Sequence, residues 1–152
     1  MNIFFNILRG LVKVNSIPRH PGSCTEFIPD NVMKILITGA TGYFGHGFVK
    51  HLLDNNLAER ICIFSRGEFA QHTMRQKFND DERLRWFIGD VRDQDRLRRA
   101  MDGCDIVVHA AALKRIEVAE YNALECIATN VHGTENVVKA AIDAGVRVAV
   151  LL

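Results

Sequence analysis

The 152-residue chain has only four cysteines, and Cys24, Cys62, Cys104 and Cys126 stand far apart. None forms the close pairs of a structural zinc site or a redox dithiol, so the local sequence offers neither metal ligation nor dithiol chemistry. Such spacing fits reduced thiols in a cytoplasmic protein, and Cys62 and Cys126, each in an apolar run, read as small buried hydrophobes. No stretch approaches the roughly 18 to 20 consecutive apolar residues of a membrane-spanning helix. Excess charge of one sign is also lacking. Nineteen basic against eighteen acidic side chains leave a net charge of +1, and that balance calls for neither nucleic acid nor an anionic membrane as partner. Proline is scarce, with Pro18, Pro21 and Pro29 the only three, and there is no solenoid repeat or low-complexity tract. With 48% apolar and 24% charged residues, the composition is that of one ordinary globule whose partners are small ligands.

At the start, Ile3, Phe4, Ile7, Leu8, Leu11 and Val12 recur at helical spacing, with Arg9 and Lys13 on other faces. That pattern describes a short amphipathic helix on a membrane surface or a partner, or else an untethered extension. Pro18, Pro21, Gly22 and Pro29 then interrupt regular structure. Residues 1–32 are expected to be leader and linker, and residues 33–152 a single dinucleotide-binding domain, incomplete at its end.

From Lys34 onward, short and nearly continuous apolar runs alternate with longer segments of helical period. Strands buried on both faces need such runs, so the pattern predicts a parallel sheet covered by helices. The expected strands are Lys34–Thr38, Arg60–Ser65, Leu84–Ile88, Ile106–His109 and Val146–Leu152. The expected helices are Phe44–Asn55, Phe69–Asn79, Gln94–Met101 and Leu124–Ala144, with Asp93 capping the third and Gly145 closing the fourth. Right-handed crossovers then give an α/β, Rossmann-like, doubly wound sheet in the order 3-2-1-4-5, ending after its fifth strand, with the ligand crevice at the carboxyl ends of the strands.

The turn after the first strand reads Gly39-Ala40-Thr41-Gly42-Tyr43-Phe44-Gly45. Gly39 suits a tight turn, Gly42 lets backbone N–H groups approach a pyrophosphate, and Gly45 allows close helix–strand packing, while the helix N-terminus adds partial positive charge. This G-x-x-G-x-x-G form resembles the extended branch of the short-chain dehydrogenase/reductase superfamily. At the ribose-reading end of the second strand stand Ser65 and Arg66 where an acid would select NAD. A serine and an arginine can hold a 2′-phosphate by charge-assisted hydrogen bonds, so NADP is the expected cofactor, with Glu68 a nearby competitor for a ribose hydroxyl. Asp90 and Val91 follow the third strand, and Ala110, Ala111 and Ala112 the fourth, where adenine, ribose and nicotinamide would lie.

Larger runs carry a closer likeness. Phe64-Ser65-Arg66-Gly67-Glu68, Phe87 to Asp93, His109 to Lys114, Glu120 to Cys126 and Thr129 to Thr134 together resemble the UDP-N-acetylglucosamine 4,6-dehydratases of polysaccharide and flagellin-sugar biosynthesis. The resemblance covers residues 34–150. It implies that Thr41, Gly42, Tyr43 and Phe44 contact the pyrophosphate, that Ser65, Arg66, Gly67, Glu68, Phe69 and Ala70 meet the adenosine phosphate end, and that Asp90, Val91, Ala110, Ala111 and Lys114 complete the site. Asn130 resembles the superfamily's helix asparagine that shapes the active site. Tyr43 departs from the serine common at its position, and Gly67 from an acidic or amide residue.

The resemblance further implies a lyase that acts on a nucleotide sugar, UDP-N-acetylglucosamine, taking a hydride from C4, eliminating water across C5 and C6 and returning the hydride to C6. The family's threonine-aspartate-lysine cluster and Tyr-x-x-x-Lys pair fall beyond Leu152, so no catalytic residue is assigned here and the chain is expected to be inactive alone. The competing expectations are a free-standing NADP-binding or redox-sensing module, and a subunit whose catalytic half is supplied by a separate chain; as partners, a homo-oligomer or the missing C-terminal half is expected.

Overall fold

A computed structural model describes residues 33–152, so the expected leader and linker lie outside the described residues. Five parallel strands form one sheet, β1 (Met33–Thr38), β2 (Ala58–Ser65), β3 (Leu84–Ile88), β4 (Ile106–His109) and β5 (Val148–Leu151), in the order β3-β2-β1-β4-β5. The crossovers carry α1 (Tyr43–Asp54), α2 (Glu68–Lys77) and α3 (Gln94–Met101). Between β4 and β5 lie α4 (Ile116–Tyr121), α5 (Ala123–Cys126), a π-helical stretch (Ile127–His132) and α6 (Gly133–Asp143). The doubly wound topology read from the apolar runs is therefore the one observed, and among the described residues no helix is long and apolar enough to cross a membrane.

The central strand shows why those runs are continuous. Successive side chains on a strand point to opposite faces, and both faces of β1 are covered. Leu36 joins Cys62, Phe64, Leu97, Val107, Val137 and Ala140 on one side, while Ile35 and Ile37 join Val49, Leu52, Ile61, Ile63 and Met74 on the other. Registers of Leu36 with Cys62 on β2 and with Val107 on β4 keep each layer in line.

Asp93 caps α3 as its position suggested, accepting from the Arg96 N–H at 2.9 Å. The single helix expected over Leu124–Ala144 is instead divided by the π-helical stretch. Tertiary bonds hold that widened turn. The Asn130 side chain accepts from Leu113 N–H at 2.8 Å and donates to the Leu113 carbonyl at 3.0 Å, while the Thr134 hydroxyl takes up the Asn130 carbonyl at 2.7 Å. Hydrophobic period does not register an inserted residue. Helix α4 went unanticipated because none of its residues is buried, leaving no apolar stripe to read.

The ends of β1 and β4 are joined by a buried polar chain. The Thr38 hydroxyl accepts from the N–H groups of Ala110 and Ala111 at 3.2 and 3.4 Å, so its own proton is directed at His109 Nδ1, 2.6 Å away. His109 Nε2 is then the protonated nitrogen and donates to Thr134 Oγ1 at 3.1 Å. Burial holds the His109 pKa below its ordinary value of 6.5, and a proton on Nδ1 would displace the bond from Thr38.

Two predictions follow from this packing. A Cβ on Gly45 would overlap the Ala40 carbonyl, whereas one on Gly47 meets nothing within 4 Å. In thermal or urea melts Gly47→Ala is therefore expected to stabilise by about 0.5–1 kcal/mol and Gly45→Ala to destabilise by more than it gains; equal effects would contradict this packing. For His109, the unfolded chain takes up a proton that the folded chain resists. Stability is full above the ordinary value of 6.5 and declines as pH falls through it toward the lower folded value, so the urea midpoint should drop there in the wild type and less in His109→Gln.

Candidate functional site

A cavity of about 540 Å³ opens where β1, β2, β3 and β4 end, within the roughly 300–1,000 Å³ range of small-molecule sites. The first wall is the glycine turn. Gly39 has φ +66°, and a Cβ there would come within 2.8 Å of the Ala111 backbone, so the residue serves both the turn and the close approach of the β4 loop. Its N–H reaches back to the Phe64 carbonyl at 2.9 Å, and Gly42 N–H bonds to the Gly39 carbonyl at 3.0 Å. Gly42 is the N-cap of α1, with no side-chain cap and no acidic residue in the first turn. The helix thus presents its positive end to the cavity without a protein anion to neutralise it.

Ser65, Arg66 and Gly67 form the second wall. The Ser65 hydroxyl is held by Gln71 Nε2 at 3.0 Å, and the same amide donates to Phe87 O at 2.8 Å, tying β2 to β3 beside the cavity. The Arg66 side chain is 57% exposed and stands 3.9 Å from Asp90. Asp90 also bonds to Arg92 Nη2 at 2.8 Å, and Arg92 continues to Glu125 at 2.8 Å. Burial opposes the Asp90 charge, but the bonds from Arg92 and the charges of Arg92 and Arg66 outweigh it and hold the carboxyl below the usual carboxylate range. Asp90 is therefore ionised at neutral pH and already engaged by cations.

The third wall comes from Ala110, Ala111, Ala112 and Lys114 after β4 and from Thr129 in the π-helical stretch. Thr129 is 4% exposed, and its hydroxyl has no hydrogen-bond partner. A buried hydroxyl without a partner costs free energy, so this one is poised for a ligand that can bond to it.

Of the residues expected from sequence, the cavity gathers Gly39, Thr41, Gly42, Tyr43 and Phe44 from the first turn, Ser65, Arg66 and Gly67 from the second, and Asp90, Val91, Ala110, Ala111 and Lys114 from the next two. Gly45, Glu68, Phe69, Ala70 and Asn130 are not among its lining. Gly45 is packed on Ala40, Phe69 is 82% exposed, and Asn130 spends its amide on Leu113. Phe64, Gly89 and Thr129 line the cavity without having been singled out. Thr129 stands one residue before Asn130, inside the π-helical stretch that the helical period did not register.

Comparison with known proteins matches this geometry to a family. Residues 35–152 match the family model described as polysaccharide biosynthesis protein. The chain is 49% identical over 122 residues to a UDP-N-acetylglucosamine 4,6-dehydratase (inverting) from Campylobacter jejuni, covering 80% of this chain and 36% of the relative. It is 42% identical to a UDP-glucose 4-epimerase from Rickettsia prowazekii, covering 78% and 35%. Among solved structures it resembles DesIV, a dTDP-glucose 4,6-dehydratase from Streptomyces venezuelae with NAD and TYD bound, with TM-score 0.69, 33% identity, and coverage of 75% and 37%. The chain thus spans about a third of the length of the curated relatives it matches. It belongs to the polysaccharide biosynthesis protein family.

Proposed function

We propose that this chain is the NADP-binding N-terminal part of a UDP-N-acetylglucosamine 4,6-dehydratase, and that by itself it binds the cofactor without turning over a sugar. The observation that carries the cofactor reading is a cavity combining an uncapped helix N-terminus, two cations and a buried hydroxyl without a partner. The dehydratase reading draws on the 49% identity to the Campylobacter enzyme, against 42% to the epimerase.

The residues fit a dinucleotide in a definite sense. Gly42 and the first turn of α1 would receive the pyrophosphate, whose negative charge meets the helix dipole. Arg66 would hold a 2′-phosphate, because Ser65, Arg66 and Gly67 line this end of the cavity while Glu68 does not. Asp90 and Val91 would take the adenine side, and Lys114 and Thr129 the ribose and nicotinamide side. When bound, the cofactor supplies a hydride acceptor that can return the hydride later. The described residues bind, orient and exclude water. The charged lining groups Arg66, Asp90 and Lys114 have ligand-holding roles in this reading, which assigns none of them a proton transfer.

Calorimetric titration with NADP and with NAD tests the proposal. NADP is expected to bind more tightly, and Arg66→Ala to weaken NADP by about tenfold to a hundredfold, the worth of roughly 1.5–3 kcal/mol in hydrogen bonds to a charged group, while leaving NAD within about twofold. Equal loss for both cofactors, or tighter binding of NAD, would overturn the assignment of Arg66.

A further inference from the structure

Two arginines contend for the carboxylate beside the cavity. Asp90 follows β3, and its Oδ1 accepts from the Arg92 backbone N–H at 2.9 Å while its Oδ2 accepts from Arg92 Nη2 at 2.8 Å. Arg66 Nη1 stands 3.9 Å from the same Oδ2, an ion pair too long to be a hydrogen bond. One oxygen thus has two guanidinium neighbours, and Arg92 has taken it.

Arg92 keeps that position because it is fixed on several sides. It follows Asp90 by two residues in one loop. The other arm of its fork, Nη1, donates to Glu125 Oε2 on α5 at 2.8 Å. Its carbonyl and that of Val91 accept from Asn136 Nδ2 on α6 at 3.0 and 3.2 Å, so the loop itself is tied to a helix. A planar guanidinium suits two acceptors at once, which the point charge of a lysine does not. Arg66 has no such tether. Its approach to Asp90 is its one ion pair among the described residues, and its side chain is 57% exposed against 40% for Arg92. Burial opposes the Asp90 charge, and what outweighs it comes first from the Arg92 bonds, with Arg66 adding only its charge. Arg92 itself does not line the cavity.

We propose that Arg92 is a positioning residue for cofactor choice: by occupying Asp90 it keeps that carboxylate from capturing Arg66 and leaves the Arg66 guanidinium free for a 2′-phosphate. The inference rests on the function proposed above, in which Arg66 meets that phosphate. Without the Arg92 side chain, Asp90 Oδ2 loses a charge-assisted bond, and Arg66 is the neighbouring cation left to replace it. Closing the gap from 3.9 Å to hydrogen-bond distance takes about 1 Å, a movement open to an exposed arginine. A 2′-phosphate must then break the new pair and approach a carboxylate that Arg92 no longer neutralises. Both effects weaken NADP. NAD carries no 2′-phosphate and meets neither.

Calorimetric titration of NADP and NAD against Arg92→Gln, alone and combined with Asp90→Asn, tests this, with the folding of each variant checked by its melt. Arg92→Gln is expected to weaken NADP by about tenfold and NAD by no more than about twofold. In the Asp90→Asn background the same substitution should leave the ratio of NADP to NAD affinity unchanged within about twofold, because no carboxylate remains to capture Arg66. A direct attraction between Arg92 and the phosphate would persist in that background, and a persisting loss would overturn the proposal. So would a loss shared equally by the two cofactors, or no loss. Should Arg92→Gln fail to fold, Arg92→Lys decides. Its point charge does not grip Asp90 and Glu125 together, so an NADP-selective loss of about two- to fivefold is expected, and an equal loss for both cofactors or none overturns the inference. The wild type and Arg66→Ala separate this inference from the function it rests on. If NADP is preferred through Arg66 while Arg92→Gln leaves that preference intact, the inference fails and the proposed function stands; if the wild type does not prefer NADP, both fail.

Discussion

The bond from Thr38 to His109 ties together the parts on which the site depends. Thr38 ends β1 and leads into the glycine turn, His109 ends β4 and leads into the alanine loop, and the chain continues through Thr134 to the Asn130 carbonyl in the π-helical stretch. The first and third walls of the cavity therefore hang on a single run of hydrogen bonds. In a low-dielectric interior such a run is strong when every member is satisfied and costly when one is lost. Thr38 shows how fully it is used: its oxygen accepts from two backbone N–H groups while its proton goes to the imidazole. Asn130 completes the frame by pinning Leu113 with both ends of its amide.

Around that frame, electrostatics decide what the cavity favours. The α1 N-terminus lacks a side-chain cap, and Arg66 and Lys114 line the same cavity. The one carboxylate in the lining among the described residues, Asp90, is bonded to Arg92 and lies near Arg66, so little of its negative charge is left to repel an anion. Arg92 extends the arrangement to Glu125 on α5, coupling the Asp90 side of the cavity to the helices after β4. An anionic ligand matches this distribution better than a neutral one.

How much of this could be read from the chain depended on whether the cause was local. Apolar runs such as Ile35-Leu36-Ile37 betrayed strands covered on both faces, because burial on two sides leaves no polar alternation. The glycine turn was legible because φ at Gly39 and the contact at Gly45 are needs of the backbone itself. Glu68, Phe69 and Ala70 follow the lining residues in sequence but open α2 and lie outside the cavity lining, with Phe69 exposed. Thr129 was not legible, because its place in the lining lies on a π-helical stretch held by Asn130 and Thr134, which leaves no period or spacing in the sequence.

In the function proposed above, the four strand ends make one cradle for a nicotinamide dinucleotide. Amide hydrogen exchange with and without NADP tests it most directly. Slower exchange is expected together in residues 39–45, 65–67, 89–91 and 110–114 and around Thr129, with β5 unchanged because none of its residues lines the cavity. Protection confined to one of these segments, or spread evenly over the sheet, would contradict a shared cradle.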